Sequence, residues 1–467
     1  MPDPTEGIRH VEDLPKSKVI QRNRNYKHRP CPKCGHSAYR LRTVTRLLHD
    51  LGDMISGRPR DLFITYSQHL CSKCNCYFNA DMSDLALSKA RYTHRVVGMA
   101  VRLVVEDGLP YRSASWHLWR DSRVFVPWAT IQNWVEASGK KSEASIQTEY
   151  MNTALKDFSG YIAADELYDG PFCVLFIVDN HNFRRLCYEV LNHDPTHDDI
   201  IRFFKRFKGM LEAHELSLVG ITTDGSPLYP DPIVKVFGDV KHQICRFHVL
   251  QEITKAIIKA VAKVRRELKG RKIKRPRGRP SGKMAREAAR KNRRLKSKIA
   301  ELFEYRHLFV KHLLTLKDKK ILQRITRGLP QLRTFRSIID EVYQLFDRRC
   351  RMDTALTKLA VLRRRVRRFK KLRKVLNKLF SSNIERSLTF LDDSLLPSTS
   401  NAVERANRRH RKMQKSIYRV RTRDHISQRI AADMQRDAYR DGQQQTIITL
   451  HRGRASVSTA TRLQEAL

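Results

Sequence analysis

The sequence is poor in acidic residues and in long apolar stretches. Its 467 residues include 48 Asp and Glu against 92 Lys and Arg, a formal net charge of +44 at pH 7. This excess is larger than solubility requires and indicates a nucleic-acid partner. No stretch approaches the roughly 18 uncharged apolar residues of a membrane-spanning helix. The first residues lack the basic and apolar regions of a signal peptide. We therefore expect a soluble, cytoplasmic, nucleoid-associated protein with no membrane partner.

A disulfide framework is not expected either, because the nine cysteines would be reduced inside a cell. Four of them form two CxxC pairs with a basic residue inside each pair: Cys31, Cys34, Cys71 and Cys74. Thiolates at this spacing can hold one structural Zn²⁺ tetrahedrally. The pattern predicts a zinc ribbon at 27–85 after a flexible start at 1–26, with buried free thiols as the alternative. Cys76 could replace a ligand, but a spare thiol is the favoured interpretation.

The tryptophan-containing region that follows, 86–150, is predicted to be a helix-turn-helix. Helical segments are expected at Val96–Val105 and near Arg112–Trp119, and Pro127 suits the first turn of a third helix. The last helix would read the DNA major groove with three polar residues: Thr130, Gln132 and Asn133. A plain helical domain whose aromatic residues form the core is the alternative.

Three acidic residues stand in settings typical of metal ligands. Asp165 and Asp224 each end an apolar, strand-like run, whereas Glu404 lies one turn into a late helix. Such carboxylates can hold two Mg²⁺ or Mn²⁺ ions about 4 Å apart, which clamp the attacking and leaving oxygens of a phosphodiester exchange. We expect Asp165, Asp224 and Glu404 to be both the ligands of these ions and the catalytic residues.

Each acid also has a plainer interpretation. Asp165 could be a turn residue, with Glu166 as the functional acid; strand alternation would then allow only one of the two to be a ligand. Asp224, which precedes a glycine, would by itself suit a hairpin turn. Glu404 could complete a capping box with Asn401. The order of the three acids along the chain favours the metal site.

The pattern around these acids predicts an RNase H-like core. Four segments precede Asp224, three strands and one helix: Tyr161–Ala164, Phe172–Val178, Arg185–Leu191 and Asp198–Leu211. We expect the core in two parts, 155–262 and 386–440, interrupted by a basic all-α insertion at 263–385. A disordered tail is expected at 441–467. The predicted fold class is thus multidomain α/β, with the ribbon and helix-turn-helix in front.

Basic segments supply further candidate DNA contacts. Within the insertion, Arg277 and Arg279 flank a glycine in a stretch that resembles an AT-hook, which binds the narrow minor groove of A·T-rich DNA. A solvated basic linker is the alternative. On the Glu404 helix, Arg408, Arg411 and Lys415 share the face of the glutamate and would hold the scissile strand.

The chain resembles the DDE transposases of bacterial insertion sequences, in particular those with a zinc ribbon and a long helical insertion, which are also similar to the Mutator type. The resemblance rests on four motifs: Asp165, Asp224-Gly225, Cys245-Arg-Phe-His248 and the Ser400–Asn407 segment around Glu404. In that family the two aspartates and the glutamate bind the catalytic metals. Cys245 and His248 could bind a metal, orient a ligand carboxylate or pack as core, and we favour an orienting or scaffold role over direct metal binding.

The resemblance implies an enzyme that cuts the ends of a mobile element with water and then joins the freed 3′-hydroxyl to target DNA. The implied partners are double-stranded element ends and target DNA. Because two ends must be held together, we expect a homodimer or larger assembly on DNA. The alternative is a domesticated relative, a sequence-specific DNA-binding protein that does not cut.

The charge excess generates a first prediction. If about ten phosphates are neutralised, affinity for duplex DNA should fall by about 10³–10⁵ between roughly 50 and 200 mM salt, because the bound counterions are released together. Fluorescence anisotropy of a labelled duplex, titrated at several KCl concentrations, measures the slope. An affinity that does not depend on salt would contradict the phosphate-dominated binding expected here.

Overall fold

The computed structural model describes residues 8–53, 55–271, 273, 282–367, 376–416, 422–437 and 442–453. The chain divides into two compact units. Unit 1 comprises Met1–Ala154 and Asn407–Leu467, and unit 2 comprises Leu155–Ala406. Each unit contains a β-sheet and helices, so the fold is multidomain α/β. None of the described helices combines the length and apolar character needed to cross a lipid bilayer.

Unit 1 opens with a five-stranded sheet. Its strands are β1 (Lys18–Arg24), β2 (His28–Pro30), β3 (Ser37–Asp53), β4 (Arg58–Leu70) and β5 (Tyr77–Asn79). The order is β1-β4-β3-β2, with β5 also paired to β4. Because side chains alternate between the two faces of each strand, Leu48, Leu62 and Ile64 point to one face and form a small buried cluster.

Three helices follow in unit 1: α1 (His94–Val105), α2 (Tyr111–Ser122) and α3 (Trp128–Ser145). Their apolar residues recur at helical spacing, as in Val96, Ala100 and Val104, and form one shared core. Pro127 is the N-cap of α3. After a short π-helical turn, α4 spans Met151–Leu155.

Unit 2 is built on a second five-stranded sheet. Its strands are β6 (Tyr161–Asp169), β7 (Phe172–Asp179), β8 (Arg185–Leu191), β9 (Gly220–Thr223) and β10 (Lys241–Ile244), in the order β10-β9-β6-β7-β8. β6, β7 and β8 pair antiparallel, whereas β9 and β10 run parallel to β6. The parallel connections contain α5 (His197–Glu212) and α6 (Pro230–Phe237).

The strands of this sheet test two predictions, that Asp165 and Asp224 each end a strand. Asp165 does not end its strand, because β6 stays paired with β7 as far as Asp169, so that prediction was wrong. Asp224 directly follows β9, as predicted. The hairpin alternative for Asp224 is excluded, because β9 and β10 are parallel and α6 lies between them. Gly225, with φ +98°, turns the chain toward α6.

All described secondary structure between β10 and residue 391 is helical. The longer helices are α7 (Arg246–Gly270), α8 (Lys283–Glu304), α9 (Leu316–Ile325), α10 (Pro330–Leu345) and α11 (Met352–Arg367), and a short α12 (Ser382–Arg386) follows. They share one apolar core that includes Ile257, Phe309 and Ile339. The amphipathic sequence of these helices accounts for it, since each carries apolar residues on one face.

Two further helices follow, α13 (Asn401–Ser416) and α14 (Arg423–Asp437), and the unit boundary falls within α13. Residues 442–453 are also helical, which differs from the disorder expected after 441. Helix α14 packs on α3 in unit 1, where Ser142 Oγ donates a hydrogen bond of 2.8 Å to Gln435.

The α3–α14 contact generates the second prediction. A Cβ at Gly139 would lie 2.8 Å from Cβ of Gln428 and 3.0 Å from its carbonyl oxygen. Gly139→Ala should therefore destabilise unit 1 by about 1–3 kcal/mol through overpacking. Gly98→Ala is the matched control, because nothing lies within 4 Å of its Cβ position and a helical alanine stabilises by about 0.5–1 kcal/mol. Calorimetric melting compares the two, and equal melting temperatures would show that the close helix approach is absent.

Candidate functional site

Two aspartates lie side by side at neighbouring strands of unit 2. β6 and β9 pair in parallel, with Ala163 opposite Thr222. Continuing that register by two residues places Asp165 opposite Asp224, on the same face of the sheet. Together with Glu166, their carboxylates offer oxygen atoms that all lie within 4.8 Å of one another.

Glu166 joins this cluster, although strand alternation predicted that only one of the two adjacent acids could point there. Both acids lie beyond Ala163, where the pairing of β6 with β9 ends. Tyr229, just before α6, donates a hydrogen bond of 2.5 Å to Glu166 Oε2. The adjacent acid was visible in the sequence, but no sequence pattern pointed to Tyr229.

Burial and like charge control the protonation of this acidic cluster. Burial, and then the charge of Asp224, raise the pKa of Asp165 to about 8. The same two causes raise the pKa of Glu166, and burial raises the pKa of Tyr229, which keeps its hydroxyl a neutral donor. A divalent cation would relieve the repulsion, and clustered carboxylate oxygens are the ligands that Mg²⁺ and Mn²⁺ prefer. The donor set therefore fits a hard divalent cation.

The segment before α13 is fixed to the edge of the same sheet. Thr222 Oγ1 donates to the carbonyl of Pro397 at 3.3 Å. The amide of Arg246 donates to the carbonyl of Ser398 at 2.8 Å. These contacts hold the start of α13 beside the carboxyl ends of β9 and β10, and α13 carries Glu404.

Glu404 is oriented by the residue that caps its helix. Ser400 immediately precedes α13, and its hydroxyl donates to Glu404 Oε1 at 3.3 Å. The amide of Ser400 points at Cys245 Sγ, 3.4 Å away. The capping box with Asn401 as the cap is not formed, because Asn401 already lies in the first turn of α13.

Glu404 lies with Cys245 and His248 instead of with the aspartates. One ligand atom from each of the three is within 4.8 Å of the others. The hydrogen bond with Cys245 raises the pKa of His248 to about 9, although burial acts to lower it. The negative charges of Cys245, Asp224 and Glu404 add to this increase. Burial acts to raise the pKa of Cys245, but hydrogen bonds with His248 and Ser400 outweigh it and lower that pKa. A cationic His248 thus interacts with carboxylates of both groups.

The four predicted zinc ligands of unit 1 converge. Their sulfurs are 3.5 Å apart for the pairs Cys31–Cys74, Cys34–Cys71 and Cys34–Cys74. Four sulfurs around one Zn²⁺, each bonded at about 2.3 Å, would be separated by about 3.8 Å. The donor set therefore fits a structural Zn²⁺ after a small expansion.

The two CxxC pairs have the same local fold. In each, an amide four residues on donates to the carbonyl of the first cysteine at 2.9 Å, from Gly35 to Cys31 and from Asn75 to Cys71. Both donors have positive φ, which glycine and asparagine tolerate. Cys76 stays outside the quartet, with its thiol 3.7 Å from the carbonyl oxygen of Tyr77.

The predicted DNA-contacting residues differ in how exposed their side chains are. On α3, Asn133 is exposed, Thr130 is partly buried, and Gln132 donates a hydrogen bond of 2.8 Å to Glu136. On α13, Arg408 and Arg411 are exposed. Three further candidates fall outside the described part: the residues Arg277 and Arg279, and the side chain of Lys415.

Comparison with known proteins identifies the family. A family model for DDE transposases of the ISL3 type, described as "Transposase", matches residues 188–430, just over half of the chain. The chain belongs to this transposase family. The matched span contains Asp224, Cys245, His248 and Glu404, and it begins after Asp165.

The transposase also resembles one curated protein. It is similar to the "Insertion element ISM1 uncharacterized 48.3 kDa protein" of Methanobrevibacter smithii, with 24% identity over 230 residues. The alignment covers 48% of this chain and 51% of the relative. The transposase thus spans about half the length of the relative it matches.

The sulfur quartet generates the third prediction. Replacing Cys31 and Cys34 together by serine should abolish zinc binding and unfold the ribbon, because the metal supplies much of the folding energy of so small a segment. Cys76→Ser is the matched control and should retain about one zinc per chain. Elemental analysis and circular dichroism of protein purified without chelator measure both effects. Wild-type protein free of zinc would refute the assignment.

Proposed function

We propose that this transposase is a DDE-type enzyme that catalyses metal-dependent cleavage and strand transfer at the ends of a mobile DNA element. The supporting observation is the pairing of Asp165 with Asp224 at adjacent parallel strands. The same sheet edge carries the segment that leads into Glu404. Acids from three distant parts of the sequence thereby reach one region of unit 2.

The proposed scaffold is an RNase H-like core interrupted by a helical insertion. Three antiparallel strands, a crossover helix and a fourth, parallel strand that ends at Asp224 agree with that layout. The helical segment from α7 to α12 lies between the second acid and Glu404. Its helices share an apolar core, which Ile244 of β10 also joins.

The chain's own residues would do the following work. Asp165 and Asp224 hold the metal, Tyr229 keeps Glu166 in place by its hydrogen bond, and Glu404 adds the third ligand. Mg²⁺ or Mn²⁺, when bound, supplies an activated water or 3′-hydroxyl and neutralises charge on the phosphate. His248, which has a ring nitrogen within 4.8 Å of Glu404 and a pKa that the charge of Asp224 also raises, would orient Glu404 toward the aspartates.

DNA binding is proposed to be distributed over several surfaces. The zinc ribbon and the helix-turn-helix with Thr130, Gln132 and Asn133 would recognise the element ends. Arg408, Arg411 and Lys415 would hold phosphates near Glu404, and Arg277 and Arg279 would enter an A·T-rich minor groove. The charge of +44 disfavours self-association without DNA, so we propose assembly into a homodimer or larger complex on the DNA.

One observation favours the non-catalytic alternative, a protein that binds DNA without cutting it. The carboxylate of Glu404 groups with Cys245 and His248, apart from the cluster around Asp224. In a catalytic site, Glu404 and the two aspartates would have to hold metal ions that act on the same phosphate. Strand cleavage separates the two functions directly.

The fourth prediction is that Asp165→Asn, Asp224→Asn and Glu404→Gln each abolish strand cleavage while DNA binding stays near wild type. Each change removes a charged metal ligand and keeps the side-chain shape. Asp231→Asn is the matched control, since Asp231 is an exposed acid on α6, and it should cut normally. The assay is Mg²⁺-dependent nicking of DNA carrying the element ends. A variant that cuts at the wild-type rate removes its residue from the site.

A further inference from the structure

A large cavity opens next to Glu404 inside unit 2. Its volume is about 1310 Å³, and it extends from the start of α13 between α7 and α10 toward Leu313 and Lys319. Small-molecule sites usually measure about 300–1,000 Å³, so this cavity has room for a longer ligand. It reaches the site because Glu404 itself is part of its lining.

The cavity lining has more basic than acidic side chains, with Arg246, Lys319, Arg336, Arg348 and Arg349 against Asp340, Asp347 and Glu404. Arg246 and Arg348 donate to backbone carbonyls and lie over the ring of Phe390, at 6.0 Å and 5.7 Å. Within the described ranges, neither Arg349 nor Lys319 forms an ion pair through its side chain. Cations held in this way are suited to phosphate groups that follow one another along a strand.

An exposed aromatic ring stands among these cations. Phe247 lines the cavity with 56% of its surface exposed, although it is a large apolar side chain in the first turn of α7. Its ring lies edge-on to that of the next residue, His248, with centroids 5.8 Å apart. A ring nitrogen of His248 lies within 4.8 Å of a carboxylate oxygen of Glu404, so the exposed ring lies one residue from the candidate metal site. A phenyl ring beside cations is the arrangement on which unpaired bases stack.

We propose that the Glu404 cavity binds unpaired nucleotides of the DNA strand next to the scissile phosphate. Phe247 stacks on one base, and Arg348, Arg349 and Lys319 contact the backbone. The proposal rests on the proposed function and specifies the form of its substrate: a strand end separated from its complement. Separation of the strands costs stacking and pairing energy, which contacts in the cavity would offset.

The test compares a blunt duplex with the same duplex carrying a short single-stranded thymidine tail, without added Mg²⁺ or Mn²⁺ so that no strand is cut. Wild-type protein should bind the tailed duplex more tightly. Phe247→Ala should reduce that preference by about 5- to 100-fold, the loss of one stacked base, and Phe247→Tyr should retain it. Phe303→Ala is the matched control, because Phe303 is 51% exposed between Arg265 and Arg306 but lies outside the cavity lining.

A fluorescent base analogue in the tail adds a second measurement. Its emission should be quenched on binding to wild-type protein and not on binding to Phe247→Ala. Equal wild-type affinity for the two duplexes, or an unchanged preference in Phe247→Ala, would overturn the proposal while leaving the cleavage mechanism standing. Failure of wild-type protein to bind either DNA would overturn both this proposal and the proposed function.

Discussion

Repulsion among buried carboxylates is the constraint on which the site of this transposase depends. Asp165, Glu166 and Asp224 are partly buried and offer oxygens within 4.8 Å of one another, and burial, followed by the charges of Asp224 and Glu166, raises the pKa of Asp165 to about 8. A sheet optimised only for stability would replace such a cluster with apolar side chains. The cluster, contributed by β6 and by the residue after β9, supports the proposal that a divalent cation binds there and neutralises it.

The rest of unit 2 brings distant parts of the chain to this cluster. The parallel register of β6 and β9 aligns the aspartates, and the cap of α7 at Cys245 holds the cap of α13 at Ser400. Between those caps the chain leaves the sheet, forms a helical core that packs on Ile244 of β10, and returns. This detour also forms the walls of the cavity beside Glu404, so one segment serves both the scaffold and the substrate surface.

Much of this could be predicted from the sequence, because the relevant signals are local. The apolar runs of β7 and β8 and the CxxC spacing depend on neighbours only a few residues apart. Asp165 was misplaced at a strand end, since a polar residue in mid-strand looks like a terminus when its pairing with β7 is unknown. The position of Tyr229 relative to Glu166, and that of Ser400 relative to Glu404, could not be predicted. Each depends on the conformation of a turn or helix cap in the folded chain.

Binding of Mn²⁺ tests the central claim most directly. Electron paramagnetic resonance of zinc-loaded protein titrated with Mn²⁺ distinguishes bound from free ion without requiring DNA or turnover. The account predicts that wild-type protein binds Mn²⁺ and that the double variant Asp165→Asn, Asp224→Asn loses that binding, whereas Asp231→Asn keeps it. Equal Mn²⁺ binding by the wild type and the double variant would contradict it, since the aspartates could then not be the metal ligands.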